Sequence, residues 1–316
     1  MQESSAQKLG KAAAAAHKAF PEELKDLVVL TTSSELPAYI APEIANRLAK
    51  STAILREIVK RATDYMREQN STGFTNTAYA LDGVVVKLLA LNENPKALFS
   101  TRFTREMKVA AVFDHEVGHL AVENGLPSGT VSEHLAECAA TAYAALRHVQ
   151  QFGKETEFFE YHNYASQIVF GVSPKHYTDD VIQRVKQLAE ETDVSGLSLR
   201  ETAELAGKIA LECSLDEKTL EKISAAFRPV ADAYKEAGGG FEDAFLQKCV
   251  QVMLLHKDDP DISKAGKRYL NYPPVKEYIK NKAKTEPGWE DALDFIKNPP
   301  VTPLKKSSGR ALQASP

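Results

Sequence analysis

The chain has 316 residues, of which 43 are acidic and 39 are basic, and its formal net charge is −4. Because the charges nearly balance, there is no electrostatic case for a nucleic-acid partner or for binding to an anionic membrane surface. The longest apolar run, residues 83–91, is too short to cross a bilayer, so we expect no membrane insertion.

The amino terminus and the cysteines bear on the compartment. The first residues lack the basic and apolar regions of a conventional signal peptide. Cys138, Cys213 and Cys249 are isolated and odd in number, which favours reduced thiols packed in a core over a disulfide framework. We therefore expect a soluble protein that is cytoplasmic, or exported without a conventional signal peptide.

The first seventy residues predict three elements. Residues 1–20 are rich in Ala, Lys and Ser, which is typical of a frayed helix or a flexible amino-terminal segment. Residues 27–31 form a short apolar run that predicts a strand. Pro42 suits the first turn of a helix, and apolar residues at helical spacing extend that helix to about residue 70.

Two further segments precede the central part of the chain. The apolar run 83–91 fits either a strand or a buried helix. Residues 97–103 alternate between two sets of side chains and predict a strand. We expect this strand to lead into a helix at Thr104.

The helix from Thr104 to about Glu123 carries the most informative motif of the chain. It is apolar on nearly every side and contains His115-Glu116-Val117-Gly118-His119. Histidines four residues apart lie on one helix face, roughly 6 Å apart, so both imidazoles can reach one tetrahedral zinc ion. Glu116 lies one step round the helix, where it can take a proton from a water on that zinc. The motif therefore indicates a zinc metallopeptidase with one Zn²⁺ per chain.

A third protein ligand is expected on the following helix. Asn124-Gly125 ends the first helix, and Thr130 or Ser132 caps a second helix over about residues 131–150. The short loop makes the two helices antiparallel neighbours. Residues at the same distance from the loop along the two helices lie opposite each other, which places Glu137 opposite His119. Glu133 is the second candidate ligand and His134 is the third.

On these residues the chain resembles the gluzincin branch of the zincin metallopeptidases. The resemblance implies that His115, His119 and Glu137 are zinc ligands and that Glu116 is the general base. Thr141 stands where the family usually has an aspartate that orients the first histidine, so either the Thr141 hydroxyl or Asp114 takes that role. Alternatively, Glu133 is the ligand and Glu137 the orienting carboxylate. The resemblance also implies that an extended substrate binds along a sheet edge. The strand 97–103 either contributes to that edge or is an internal strand with no free edge.

The remainder of the chain is helical in pattern. Gly, Pro and Ser residues separate eight predicted helices, at 154–169, 178–193, 198–213, 216–236, 241–256, 261–270, 274–284 and 288–297. We therefore expect an α+β, predominantly α-helical, zincin-like fold. It would have four parts: a flexible segment at 1–20, a metal-binding half at 21–150 with a small sheet, a helical half at 151–297, and a disordered tail at 298–316.

The main functional hypothesis is a zinc-dependent metallopeptidase that hydrolyses peptide bonds in a protein or peptide substrate. A further donor is needed to stabilise the tetrahedral oxyanion. The candidates for that donor are Tyr161, His162, Tyr164, His176 and Tyr177.

Two other functions are compatible with a zinc site. In the first, the protein is a zinc-binding pseudoenzyme or a helical interaction protein without hydrolytic activity. The presence of Glu116 disfavours this alternative, because a structural site needs no base. In the second, the protein hydrolyses non-peptide amides, as in deformylation. That chemistry usually adds an upstream cysteine ligand, and no cysteine precedes Cys138.

Overall fold

The computed structural model describes residues 4–32, 34–49, 52–68, 73–81, 84–92, 104–122, 126, 131–156, 158–159, 173–236, 243–270, 273–287 and 289–297. The chain divides into two compact units, Met1–Leu220 and Glu221–Pro316. In the described residues the protein combines one small sheet with many helices, so the expected α+β, predominantly α-helical class is confirmed at this level.

The sheet lies in the first unit and has the strand order β2-β1-β4-β3. Its strands are β1 (Leu27–Thr31), β2 (Tyr39–Ile40), β3 (Gly73–Leu81) and β4 (Val84–Leu91). β1 runs parallel to β4, whereas β2 pairs with β1 and β3 pairs with β4 in the antiparallel sense. All five residues of β1 are buried, as expected for an apolar strand in the middle of a sheet. The apolar run that fitted either a strand or a helix is therefore the strand β4.

The helices of the first unit pack against this sheet or against one another. They are α1 (Ser5–Ala19), α2 (Pro42–Ala49), α3 (Thr52–Glu68), α4 (Arg105–Ala121), α5 (Glu133–Phe152), α6 (Asp179–Glu191) and α7 (Leu199–Cys213). A short 3₁₀ turn, Pro174–His176, precedes α6. Within the predicted helix over 42–70 the described residues are helical, as α2 and α3, and residues 50–51 between them lie outside the described residues. The predicted strand at 97–103 also lies outside the described residues.

The amino-terminal segment differs from the expectation of flexibility. Ser4 and Gln7 form a reciprocal capping box at the start of α1. Leu9, Ala13 and Ala16 are buried in the main core, and α1 contacts β1 and β2. The apolar face is built mainly from alanine, which gives a weak pattern in the sequence but packs closely in the fold.

The two helices of the central hairpin, α4 and α5, approach each other closely. A Cβ atom added at Gly118 of α4 would lie 2.7 Å from the Cα atom of Ala140 on α5. Small buried residues continue along α5, including Ala139, Ala142 and Ala144. The small side chains on the facing sides of α4 and α5 therefore allow the two helix axes to lie close together.

The boundary between the units also differs from the expected division at residue 150. Both α6 and α7 pack against α5, so the first unit extends to Leu220. The remaining helices are α8 (Glu217–Glu236), α9 (Asp243–Leu255), α10 (Pro260–Leu270), α11 (Pro273–Lys282) and α12 (Glu290–Lys297). Their bounds agree closely with the predicted helices in this region. Within the part of the chain that the structure describes, no helix is long and apolar enough to cross a membrane.

Candidate metal site

The helix α4 presents two histidines from successive turns. The Thr104 hydroxyl accepts a hydrogen bond from the Met107 amide at 3.2 Å and so caps the amino-terminal end of the helix. The rings of His115 and His119 have centroids 4.8 Å apart and are perpendicular to each other. Both rings are partly buried, and their Nε2 atoms face α5. The helical spacing therefore brings two imidazole nitrogens to one place, as the motif predicts.

Glu137 of α5 meets the two histidines from across the hairpin. Its Oε2 atom lies 3.4 Å from Nε2 of His115 and 3.6 Å from Nε2 of His119. One candidate ligand atom from each of these three residues lies within 4.8 Å of the other two. Glu137 therefore lies beside both histidines, where the short loop between the helices predicts it.

The environment of the Glu137 carboxylate suits a cation. Its Oε2 atom is buried, and among the described residues it has no hydrogen bond of normal geometry. Burial raises the pKa of Glu137, but the adjacent imidazoles of His115, His119 and His176 outweigh this effect and hold the pKa well below its usual range. A buried, ionised oxygen normally has a partner. Two imidazole nitrogens and one carboxylate oxygen form a donor set that zinc accepts, so the residues present fit this ion.

The two competing ligands face elsewhere. The Glu133 side chain is 81% exposed and pairs with Lys175 at 3.3 Å. His134 is buried, with Nδ1 3.0 Å from the carbonyl oxygen of Lys175 and Nε2 3.5 Å from Sγ of Cys138. The alternative arrangement, with Glu133 as ligand and Glu137 as orienting carboxylate, does not match these positions.

Asp114 is not placed to orient His115. Its Oδ2 atom accepts a hydrogen bond from Nε2 of Gln151 at 2.7 Å, and its Oδ1 atom lies 3.7 Å from Nε of Arg147. Burial raises the pKa of Asp114 to about 6, although Arg147 and Gln151 act in the opposite direction. Of the two orienting residues that the sequence suggested, Thr141 remains the candidate, buried on α5 one turn after Glu137.

Glu116 is buried on α4, directly after His115. Its position in the helix is the one that the motif assigns to a general base. Burying a carboxylate is costly in a core that serves only packing, so a buried glutamate next to two histidines is typical of a functional site.

The 3₁₀ turn Pro174–His176 brings two further side chains to Glu137. Nδ1 of His176 lies 3.1 Å from Oε2, and Nζ of Lys175 lies 3.8 Å from Oε1. His176 was one of five candidates for the oxyanion donor. Of the others, Tyr177 is buried, and Tyr161, His162 and Tyr164 lie outside the described residues. Lys175 was missed, because nothing local in the sequence shows that this turn docks on α5.

A cavity of about 950 Å³ lies on the other face of α4, between that helix, α1 and α5. Leu9, Val109, Phe113, Asp114 and Arg147 are among the residues that line it, and none of the three candidate metal ligands does so. Because His115 and His119 project from the opposite face of the helix, the size of this cavity is no guide to where a substrate meets the metal group.

Comparison of the chain with protein-family models, curated proteins and solved structures gave no match. The site itself therefore carries the functional argument.

Proposed function

We propose that this protein is a zinc-dependent metallopeptidase of zincin-like architecture that hydrolyses peptide bonds in a protein or peptide substrate. The observation that carries the proposal is the group of His115, His119 and Glu137, whose ligand atoms lie within 4.8 Å of one another. The buried Glu116 in the same motif favours an enzyme over a protein with a purely structural metal, because a structural site needs no base.

The chain's own residues have separate tasks in this proposal. His115, His119 and Glu137 hold the ion, which when bound supplies Lewis acidity to a water molecule and a substrate carbonyl. Glu116 accepts a proton from the attacking water and passes it to the leaving amine. Three protein ligands leave one position for water or substrate, which is the arrangement of catalytic rather than structural zinc.

The sheet supports the substrate assignment. β3 is the last strand on one side of the described sheet, and it contacts α4. A Cβ atom added at Gly73, the first residue of β3, would lie 2.5 Å from Cγ1 of Val112 on α4. A sheet edge next to the metal helix suits an extended peptide, whose backbone can hydrogen-bond to the strand with little dependence on sequence.

Replacing Glu116 by Gln separates the peptidase from a zinc-binding protein without activity. We expect Glu116→Gln to retain one zinc per chain and to lose hydrolysis of a mixed peptide library by two orders of magnitude or more, because the amide cannot accept the proton. Zinc would be measured by plasma mass spectrometry and cleavage by mass spectrometry of the library.

Glu106, an exposed residue of the same helix, gives a matched control, and Glu106→Gln should leave both readings unchanged. Zinc in the wild type without any cleavage would favour the pseudoenzyme or interaction protein. A wild-type chain that binds no zinc after dialysis against it would overturn the metal site itself.

A further inference from the structure

Both oxygens of the Glu137 carboxylate are contacted by neighbouring residues of one turn. Nδ1 of His176 lies 3.1 Å from Oε2, and Nζ of Lys175 lies 3.8 Å from Oε1. These contacts come from a segment that precedes α6 and is separate from the α4–α5 hairpin. The hairpin therefore supplies the three candidate ligands, while the turn supplies additional contacts to only one of them.

The turn is held on α5 by contacts that do not involve Glu137. The carbonyl oxygen of Lys175 lies 3.0 Å from Nδ1 of His134, and its ammonium pairs with Glu133 at 3.3 Å. The backbone amides of His176 and Tyr177 donate to the carbonyls of Ser173 and Pro174 within the turn. These interactions hold His176 in position independently of its contact with the Glu137 carboxylate.

His176 lies close to the Glu137 carboxylate but is not one of the three candidate metal ligands. Among the described residues, the ligand atoms that lie within 4.8 Å of one another belong to His115, His119 and Glu137, and His176 is outside this group. A neutral imidazole with its proton on Nδ1 can donate to Oε2 while leaving the metal to the other three residues. Partners of this kind orient the ligands of metal sites, and their loss typically weakens metal affinity by 10–100-fold.

We propose that His176 is a positioning residue, whose close Nδ1 contact to Oε2 holds the Glu137 carboxylate in the orientation that binds zinc, with Lys175 supporting the second oxygen. This inference rests on the proposed zinc site and adds an element from outside the motif. It assigns the turn Pro174–His176 the task of completing a site whose ligands come from the hairpin.

The test is the zinc dissociation constant of the full chain, measured by competition with a chromogenic chelator. We expect His176→Ala to raise the dissociation constant by 10–100-fold while the stoichiometry at saturation stays at one zinc per chain. His176→Asn should restore affinity to within a few-fold of wild type, because its amide nitrogen can donate from near the position of Nδ1. His256→Ala, which removes a partly exposed imidazole in the second compact unit, is the control.

The outcomes distinguish this inference from the proposed function. Wild-type affinity in His176→Ala would overturn the positioning role while leaving the zinc site in place. Complete loss of zinc at saturation, without rescue by Asn, would make His176 a ligand instead. Failure of the wild type to bind zinc would overturn the proposed function and this inference together.

Folding of the variants can be checked independently. The Lys175 and His176 side chains are 40% and 41% exposed, so substituting them creates no cavity in the hydrophobic core. Circular dichroism and thermal unfolding of the zinc-free proteins should match wild type. Lys175→Met offers a second variant, for which we expect a smaller increase in the dissociation constant, because its ammonium lies farther from the carboxylate than Nδ1 of His176 does.

Discussion

Glu137 and Glu133 are chemically identical residues one turn apart on α5, and their surroundings give them different roles. Glu137 is buried among three imidazoles, whereas the Glu133 side chain is 81% exposed and forms an ion pair with Lys175. A carboxylate surrounded by ligand atoms can bind a metal with little reorganisation, while an exposed one must first lose water and side-chain freedom.

Exchanging these two carboxylates for alanine should therefore have unequal effects. We expect Glu137→Ala to lose most of the bound zinc and Glu133→Ala to keep it near one per chain, because only the first removes an atom of the ligand group. Plasma mass spectrometry of the purified proteins checks this. Equal retention in both variants would contradict the assignment of Glu137.

Sequence reasoning located the residues of the ligand group but not their supporting contacts. The positions of His115 and His119 follow from helical periodicity, and that of Glu137 follows from a short loop between antiparallel helices. Lys175 reaches Glu137 only because a distant turn packs on α5. Contacts of that kind depend on tertiary packing, for which the local sequence has no periodic signal.

The hairpin α4–α5 is the element that sets the separation between the histidines and Glu137. Gly118 lies against the backbone of Ala140, where a Cβ atom would come within 2.7 Å of Cα and 3.1 Å of the carbonyl oxygen. Backbone atoms cannot turn aside as a flexible side chain can. Any larger residue at this position therefore has to separate the two helices.

Gly118→Ala should lower the free energy of unfolding by about 1–3 kcal/mol, the usual cost of overpacking a core. It should also weaken zinc binding, since the ligands on the two helices move apart. Urea unfolding followed by circular dichroism gives the first quantity. Gly196→Ala is the control, because an added Cβ there meets nothing within 4 Å and stability should change by less than about 0.5 kcal/mol.

The helix α1 provides a second prediction at this scale. Leu9 is 4% exposed and belongs to the main core, so we expect Leu9→Ala to cost about 2–4 kcal/mol of unfolding free energy. Lys18→Ala, at an exposed position of the same helix, should cost less than about 0.5 kcal/mol. A flexible segment would show no difference between the two variants in urea unfolding.

The elements were predicted most accurately where their apolar pattern is strong. The strand Leu27–Thr31 and the helices from Asp179 onward agree closely with the sequence-based ranges. A helix was one of the two structures predicted for residues 1–20, but its burial was not predicted, because alanine contributes little hydrophobic contrast although it packs well in a close contact.

At the scale of the whole molecule, a buried histidine links stability to pH. His148 stacks on Phe158 with ring centroids 4.1 Å apart, and burial lowers the pKa of His148 from 6.5 to about 4. Between these values the unfolded chain binds a proton that the folded chain does not. Its uptake favours unfolding, so stability falls as the pH is lowered through this range.

We expect the contribution of His148 to the loss between pH 7 and pH 4 to be at most about 3 kcal/mol. The raised pKa of Asp114 acts in the opposite direction and remains in every variant compared. Urea unfolding of wild type and His148→Gln at several pH values isolates the histidine. The variant should be less stable at pH 7 but should lose less stability on acidification, and parallel curves would contradict this account.

The division of the chain could not be predicted from composition. No change in residue usage marks Leu220, and the boundary arises because α6 and α7 pack on α5. An expected division after residue 150 followed the end of the mixed α and β pattern instead. Helices of similar amphipathic character can pack in either unit, and only tertiary contacts distinguish them.

The three candidate ligands come from one pair of consecutive helices, and this locality has a consequence for biosynthesis. Once the ribosome has released the chain through Phe152, every ligand of the proposed ion is available, whereas His176 emerges later. Contacts close in sequence form early, and amino-terminal units generally fold first during synthesis. We therefore expect a nascent chain to acquire zinc weakly at first and to retain it firmly only after the turn has been translated.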